Sequence, residues 1–270
     1  MIELLEQEIK GDERKSSKGN QLKWEKDGIW YKADYAGYEG LAEYVVSELL
    51  AYSSLETEEY VSYQTEKMRY KQNLYNGCRS RNFLPAGWKM ITMERLFQSV
   101  YGRSLNQSIY SIRDYAERAE FFVEQTIRIT GLKDFGTYLS KLLTLDAFFL
   151  NEDRHTHNIA VLLDDVGRYH YCPVFDNGAA LLSDTTLDYP MTGNVEKMIP
   201  EAEAKTICRD FDEQLDVMEH LYGRPVSFRF GNKDVERLLV NEPYYPEEVK
   251  QRIQMIIRKQ RNKYQYLFPS

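Results

Sequence analysis

Residues 150–181 read LNEDRHTHNIAVLLDDVGRYHYCPVFDNGAAL, and the reading of this one stretch decides the fold. Asp153 opens a polar loop and Asn158 closes it. Two apolar strands follow, joined by a turn at Asp164-Asp165-Val166-Gly167, and the second is expected to deliver Asp176. The loop thus offers one carboxylate able to orient or deprotonate a hydroxyl. Asn158 and Asp176 add a carboxamide and a second carboxylate, hard oxygen donors suited to a Mg²⁺ that keeps several waters and also binds substrate phosphates. This set of groups fits phosphoryl transfer.

The run Asn151-x-Asp153-Arg154-His155-x-x-Asn158, followed by Asp176-Asn177-Gly178, resembles the catalytic and metal loops of HipA-like serine/threonine kinases. Phosphatidylinositol kinases share the same DRHxxN order, whereas eukaryotic protein kinases place Arg before the catalytic Asp in HRDxxxxN. The resemblance implies an α+β, two-lobed protein-kinase-like fold with a small, mostly β N-lobe (1–93) and a larger helical C-lobe (94–270). It implies Asp153 as catalytic base or hydroxyl-orienting group, with His155 as a further catalytic candidate, and Asn158 and Asp176 as ligands of Mg²⁺. One departure is visible: the Phe of DFG is Asn177 here, so the apolar switch that this Phe provides is missing.

Upstream of the loop, Lys133 to Leu150 is a helical pattern that puts Phe135, Tyr138, Leu139, Leu142, Leu143, Asp146 and Phe149 near one face. A buried helix leading into the loop would give the catalytic groups a rigid support. Asp146 is the exception on that face and needs a partner, either backbone N–H groups or Arg154. A second helix is expected over Ile112 to Thr130.

The N-terminal third gives a strand from Ile2, a polar loop over Gly11 to Asn20, and paired strands Asn20 to Glu25 and Ile29 to Ala33 around Asp27-Gly28. In a kinase small lobe such a loop folds over the ATP phosphates, which makes Ser16, Ser17, Lys18, Gly19 and Asn20 candidate phosphate contacts; alone, the segment reads as a solvated loop, since it is no GxGxxG. Lys32 sits in the second of the paired strands and precedes a helix over 38–50. By the resemblance Lys32 contacts the ATP phosphates and is oriented by a helix carboxylate, with Glu43 favoured over Glu39 and Glu48. Glu59 to Tyr70 reads as a strand and Lys71 to Arg81 as a loop turning at Asn76-Gly77. Trp88 to Met93 reads as a strand running into a helix: either an ordinary core strand or a hinge that holds adenine through backbone groups of about Met90 to Glu94, Met93 and Glu94 among them. Ala179 to Pro200 reads as a loop. Helices are expected over Asp210 to Tyr222, Asp234 to Val240 and Pro246 to about Tyr264.

Composition excludes several classes. With 43% hydrophobic and 13% aromatic residues, a chain of 270 buries a substantial core. The formal charge of −7 argues against broad attachment to nucleic acid or an anionic membrane. No run reaches membrane-spanning length, the acidic N-terminal segment is unlike a signal peptide, and three scattered cysteines fit a reducing cytoplasm. An Asp/His zinc site lacks a completing HExxH or CxxC, a serine hydrolase would need GxSxG, and no P-loop GxxxxGK[ST] occurs. The resemblance implies ATP- and Mg²⁺-dependent transfer to a protein serine or threonine; autophosphorylation at Ser16 or Ser17 would place a dianion in the phosphate loop and block it. The alternatives are a small-molecule or lipid kinase and a non-catalytic nucleotide-binding module. The resemblance also implies an antitoxin-like protein partner.

Overall fold

The computed structural model describes residues 1–9 and 21–269, so Ser16, Ser17, Lys18, Gly19 and Asn20 lie outside the described residues. The chain forms two compact units, neither continuous in sequence. The first comprises Met1–Phe83, Phe175–Ala202 and Ser227–Ser270; the second comprises Leu84–Val174 and Glu203–Val226. A single cut after residue 93 therefore does not describe the packing, because late segments return to the unit that holds the N-terminus.

The first unit is built on a five-stranded sheet in the order β1-β4-β5-β3-β2. Its strands are β1 (Ile2–Leu4), β2 (Lys23–Lys26), β3 (Ile29–Ala33), β4 (Gln64–Tyr70) and β5 (Asn73–Arg81), and helix α1 (Glu39–Leu50) packs on it. The β2–β3 hairpin turns at Asp27-Gly28, both at positive φ, as a two-residue turn requires. Leu4, Trp24, Tyr31, Ala33 and Met68 alternate out of these strands into one apolar cluster.

Lys71 to Arg81, expected as a loop, is instead largely the strand β5, paired on both sides by β3 and β4. The reversal falls at Lys71-Gln72, with Lys71 at φ 54°, and Asn76-Gly77 lies inside the strand. Gly77 is there because a Cβ would stand 2.1 Å from the Lys32 carbonyl oxygen. Gly40 on α1 faces the same spot: its Cβ would lie 2.4 Å from the Gly77 carbonyl carbon. The two glycines mark a close approach of helix to sheet, and that approach is what brings α1 close to the Lys32 strand.

The second unit carries a three-stranded sheet, β6 (Lys89–Thr92), β7 (Ala160–Leu163) and β8 (Tyr169–Tyr171), in sequential order. Around it are α2 (Met93–Tyr101), α3 (Leu105–Ser111), α4 (Tyr115–Thr130) and α5 (Phe135–Phe149). The helix expected over Ile112 to Thr130 begins later, because the Asp114 side chain accepts from Glu117 N and starts α4 while Ile112 is extended. Phe135, Leu139, Leu142, Leu143 and Phe149 on α5 are fully buried, as their spacing predicts. The β7–β8 turn is held by Asp164, whose carboxylate accepts from Val166 N, Arg168 N and the Arg168 guanidinium and meets His170 Nε2 at 3.0 Å.

The remaining helices are α6 (Val195–Met198), α7 (Phe211–Tyr222), α8 (Asn232–Val240) and α9 (Glu247–Lys263). Helix α7 belongs to the second unit and packs on α5; the other three belong to the first. On α9, the buried Arg252 donates to the carbonyls of Pro190 (3.2 Å), Tyr189 (2.9 Å) and Leu182 (3.5 Å), so one side chain gathers the irregular 182–190 segment. Tyr38 adds its hydroxyl to the carbonyls of Leu181 and Leu182, both of which have left-handed backbone. Bulky residues adopt that conformation only where surrounding contacts hold them there. Among the described residues, no helix is long and apolar enough to cross a membrane.

Candidate functional site

The predicted site residues fall into two groups, one in each unit. In the first unit, Lys32 lies on β3 between Lys23 and Cys78 in register. Its ammonium is 2.6 Å from Glu43 Oε1 and 2.8 Å from Asp176 Oδ1, and it sits 5.2 Å from the centre of the Tyr63 ring. Burial pulls the Lys32 pKa down, but Asp176 and Glu43 together outweigh it and hold it well above the ordinary lysine value. Lys32 is a fixed cation.

Glu43 is nearly inaccessible on α1 and does two jobs: Oε1 takes Lys32, and Oε2 accepts the Asn177 amide at 2.8 Å. One carboxylate therefore fixes both the lysine and the backbone beside Asp176. The competing glutamates are otherwise placed. Glu39 accepts from the amides of Tyr35, Ala36 and Gly37 and closes the turn ahead of its own helix. Glu48 is partly buried one helical turn further on, and burial raises its pKa.

Asp176 is not on the second strand of the hairpin, which ends at Tyr171; it stands five residues later with φ 58°. Asp is among the few non-glycine residues that adopt this conformation readily. Asn177, in the place of the DFG Phe, is itself buried, and its carbonyl accepts from Ala180 N.

Asp34, two residues beyond Lys32, accepts the Gly40 amide at 2.6 Å and the Tyr245 hydroxyl at 2.7 Å. Burial, reinforced by the charges of Glu39 and Glu242, pushes its pKa up to about 7. This is above the ordinary 3.8, so the unfolded chain releases its proton first. The stability tied to neutral Asp34 is complete below about pH 4 and is lost as the pH rises through about 7. Asp34→Asn is expected to remove this loss, on the order of 4 kcal/mol. Thermal melts of both proteins from pH 4.5 to 8 check it: parallel curves would show that Asp34 does not titrate in that window.

In the second unit, α5 ends on Leu150 at φ 56°, and the chain turns directly into the DRH loop. Asp146, on the last turn of α5, and Arg154 are each 1% exposed. Arg154 Nε lies 3.1 and 3.2 Å from the two Asp146 oxygens, Asn151 Nδ2 lies 2.9 Å from Oδ1, and Arg154 NH1 donates to the Asn158 carbonyl. Of the two partners foreseen for Asp146, the structure selects Arg154. Asp153 is then clamped by Asn158, whose Nδ2 donates to the Asp153 carbonyl (2.9 Å) and Oδ2 (3.0 Å). Its other oxygen faces His155 Nε2 at 3.7 Å. His155 Nδ1 accepts the His157 amide, which leaves the ring proton on Nε2. Burial lowers the His155 pKa despite the Asp153 charge, so this imidazole is neutral near pH 7.

The amides of Met93 and Glu94, two of the backbone groups considered for adenine, are both engaged within the fold. Met93 N donates to the Ile159 carbonyl and Glu94 N to that of Thr156. The Glu94 carboxylate is also committed: it accepts from the amides of Leu105 and Asn106 and from the Thr156 hydroxyl. Burial raises the Glu94 pKa, but the Ser104, Thr156 and Asn106 donors outweigh it and leave it lowered. These residues tie the DRH loop to α2 and the start of α3. Sequence reasoning also missed residues 203–206, where the Glu203 amide donates to Glu152 and the Thr206 hydroxyl to the Arg154 carbonyl. No spacing rule would have found this long-range pair of contacts.

Among the described residues no three His, Cys, Asp or Glu side chains gather as metal ligands. A Mg²⁺ that relies on one carboxylate, one carboxamide, water and phosphate oxygens requires no such cluster. Asp176 retains 20% side-chain exposure, and Asn158 directs Nδ2 to Asp153 and so keeps Oδ1 as an oxygen donor. Both fit the expected donor set.

The sheet-plus-helix construction, with a lysine, a helix glutamate and an Asp-Asn-Gly turn in one unit and a DRHxxN loop in the other, is of the protein-kinase-like α+β class. The crystal structure of a Helicobacter pylori proinflammatory kinase, CtkA, has the same fold: the match covers 98% of this chain and 96% of that one, with a TM-score of 0.61 and 15% identity. No protein-family model matches the chain, and no curated protein matches its sequence.

Proposed function

We propose that this protein is an ATP- and Mg²⁺-dependent kinase of HipA-like type that transfers the γ-phosphate to a serine or threonine hydroxyl of a protein. The observation that carries this reading is Lys32 held between Glu43, 11 residues on, and Asp176, 144 residues on in the chain. A buried cation kept charged beside a partly exposed carboxylate suits triphosphate binding next to a divalent ion. Likeness in fold to CtkA supports the same class.

Lys32 would hold nucleotide phosphates, with Glu43 fixing its position. Asp176 and Asn158 would hold Mg²⁺, which when bound neutralises charge on the phosphate oxygens. Asp153 orients the acceptor hydroxyl and takes its proton, because the Asn158 clamp fixes its carboxylate while His155 directs an N–H toward it. His155 is a donor in this arrangement rather than the base. The Ser16–Asn20 loop as phosphate cover and an antitoxin-like partner belong to the same reading and rest on the resemblance alone.

The test is purified protein with γ-labelled ATP and Mg²⁺, alone and with a cell lysate, as wild type, Asp153→Asn and His155→Ala. Label on protein is expected, reduced at least ~100-fold in Asp153→Asn and less than ~10-fold in His155→Ala. The reverse ranking would make His155 the base. Label only on a small molecule or lipid would move the acceptor class, and nucleotide binding without transfer would make the chain a binding module.

A further inference from the structure

Residues 203–206 run beside the DRH loop and are fastened to it on both sides of Asp153. The Glu203 amide donates to Glu152 Oε1 at 3.0 Å, and the Thr206 hydroxyl donates to the Arg154 carbonyl. Glu152 and Arg154 flank Asp153; Glu203 and Thr206 flank Ala204 and Lys205. Thr206 and Ala204 are buried, and Lys205 is exposed. The Ala204 amide donates to the Arg209 carbonyl, and Ile207 is held by Gln214 and Arg118, so the strip is fixed on both sides of Lys205.

The Lys205 side chain has no ion-pair or hydrogen-bond partner among the described residues. The nearby charges are spoken for: Glu152 accepts from the strip, and Glu203 lies 3.9 Å from Arg209. The DRH loop adds the rings of His155 and the exposed His157, 5.5 Å apart. On a chain of formal charge −7, Lys205 is a local cation beside the group that handles the acceptor hydroxyl.

We propose that Lys205 is a specificity residue: it selects peptide acceptors that carry an anionic group, carboxylate or phosphate, next to the reacting hydroxyl. The inference rests on the kinase reading and adds the chemistry of the substrate to it. A single exposed cation steers and discriminates without supplying catalysis, so its removal acts on acceptor binding and not on turnover.

The experiment uses the full chain as wild type, Lys205→Gln and Lys205→Glu, with fluorescent serine-centred peptides flanked by Glu, by phosphoserine or by Gln. Binding is read by anisotropy and transfer by label from γ-labelled ATP with Mg²⁺. Wild type is expected to favour both anionic peptides about fivefold over the Gln peptide, the upper range for one exposed ion pair. The preference disappears in Lys205→Gln, inverts in Lys205→Glu and weakens in 0.5 M salt. A phosphoserine preference without a Glu preference narrows the class to phosphate and still supports the site. Equal or absent binding of all three peptides, or an unchanged preference in Lys205→Glu, overturns the proposal. So does an equal loss of turnover on every peptide in Lys205→Gln, which would place Lys205 on the transferred phosphoryl group. A Lys205-dependent binding preference with no transfer by wild type supports the anion site and counts against the kinase reading alone.

Discussion

Asp176→Asn is expected to lower turnover by about 10³-fold at saturating ATP and Mg²⁺, with the fold intact. The loss follows from removing the one carboxylate charge assigned to the metal, where electrostatic stabilisation of the transferring group is worth several kcal/mol. The fold survives for three reasons. Lys32 keeps Glu43 at 2.6 Å, so no buried ammonium is left without a counter-charge. Asn177 N keeps its bond to the same glutamate. Asn also tolerates the φ of 58° at position 176 as well as Asp does. Turnover across a Mg²⁺ titration, beside a thermal melt, checks this. Activity within ~10-fold of wild type would remove Asp176 from the metal-holding role.

Asp146→Ala tests the scaffold instead of the chemistry. Deleting the carboxylate leaves Arg154, 1% exposed, as a buried guanidinium whose Nε has lost both oxygens. Stability is expected to fall by about 3–5 kcal/mol, the cost of breaking one side of a buried pair. For a chain of this size that is a drop in melting temperature of roughly 6–20 °C. The double variant Asp146→Ala/Arg154→Met removes the stranded charge along with its partner and should recover most of the loss. A double variant less stable than Asp146→Ala would mean that Arg154 stabilises the loop through its bond to the Asn158 carbonyl more than through the ion pair.

These two variants also separate what was legible in the sequence from what was not. The order strand lysine, helix glutamate, DRHxxN loop and Asp-Asn-Gly turn could be read directly, and the structure brings Lys32, Glu43 and Asp176 together. Asp146 stood out because a carboxylate on an apolar helix face demands a partner. The Asn76-Gly77 dipeptide misled for a physical reason: glycine serves a reversed chain and a close backbone approach equally well, and only the packing of Gly40 against it shows which applies. Glu94 carries a role that its position at a strand-to-helix junction does not announce: three donors converge on its carboxylate. The Glu203 and Thr206 contacts bridge about 50 residues and leave no local signature.

The discontinuity of the first unit bears on biosynthesis. Helix α9, which gathers Leu182, Tyr189 and Pro190 through Arg252, ends 87 residues after Asp176. At ordinary translation rates the ribosome needs roughly 4–17 s to make that stretch. A nascent chain therefore already contains Lys32, Asp153 and Asp176 while the clasp on the segment following Asp176 has yet to be made. Any phosphate-transferring activity that depends on this clasp would await synthesis of α9, so that products terminated before it carry Lys32, Asp153 and Asp176 without the means to hold the segment after Asp176.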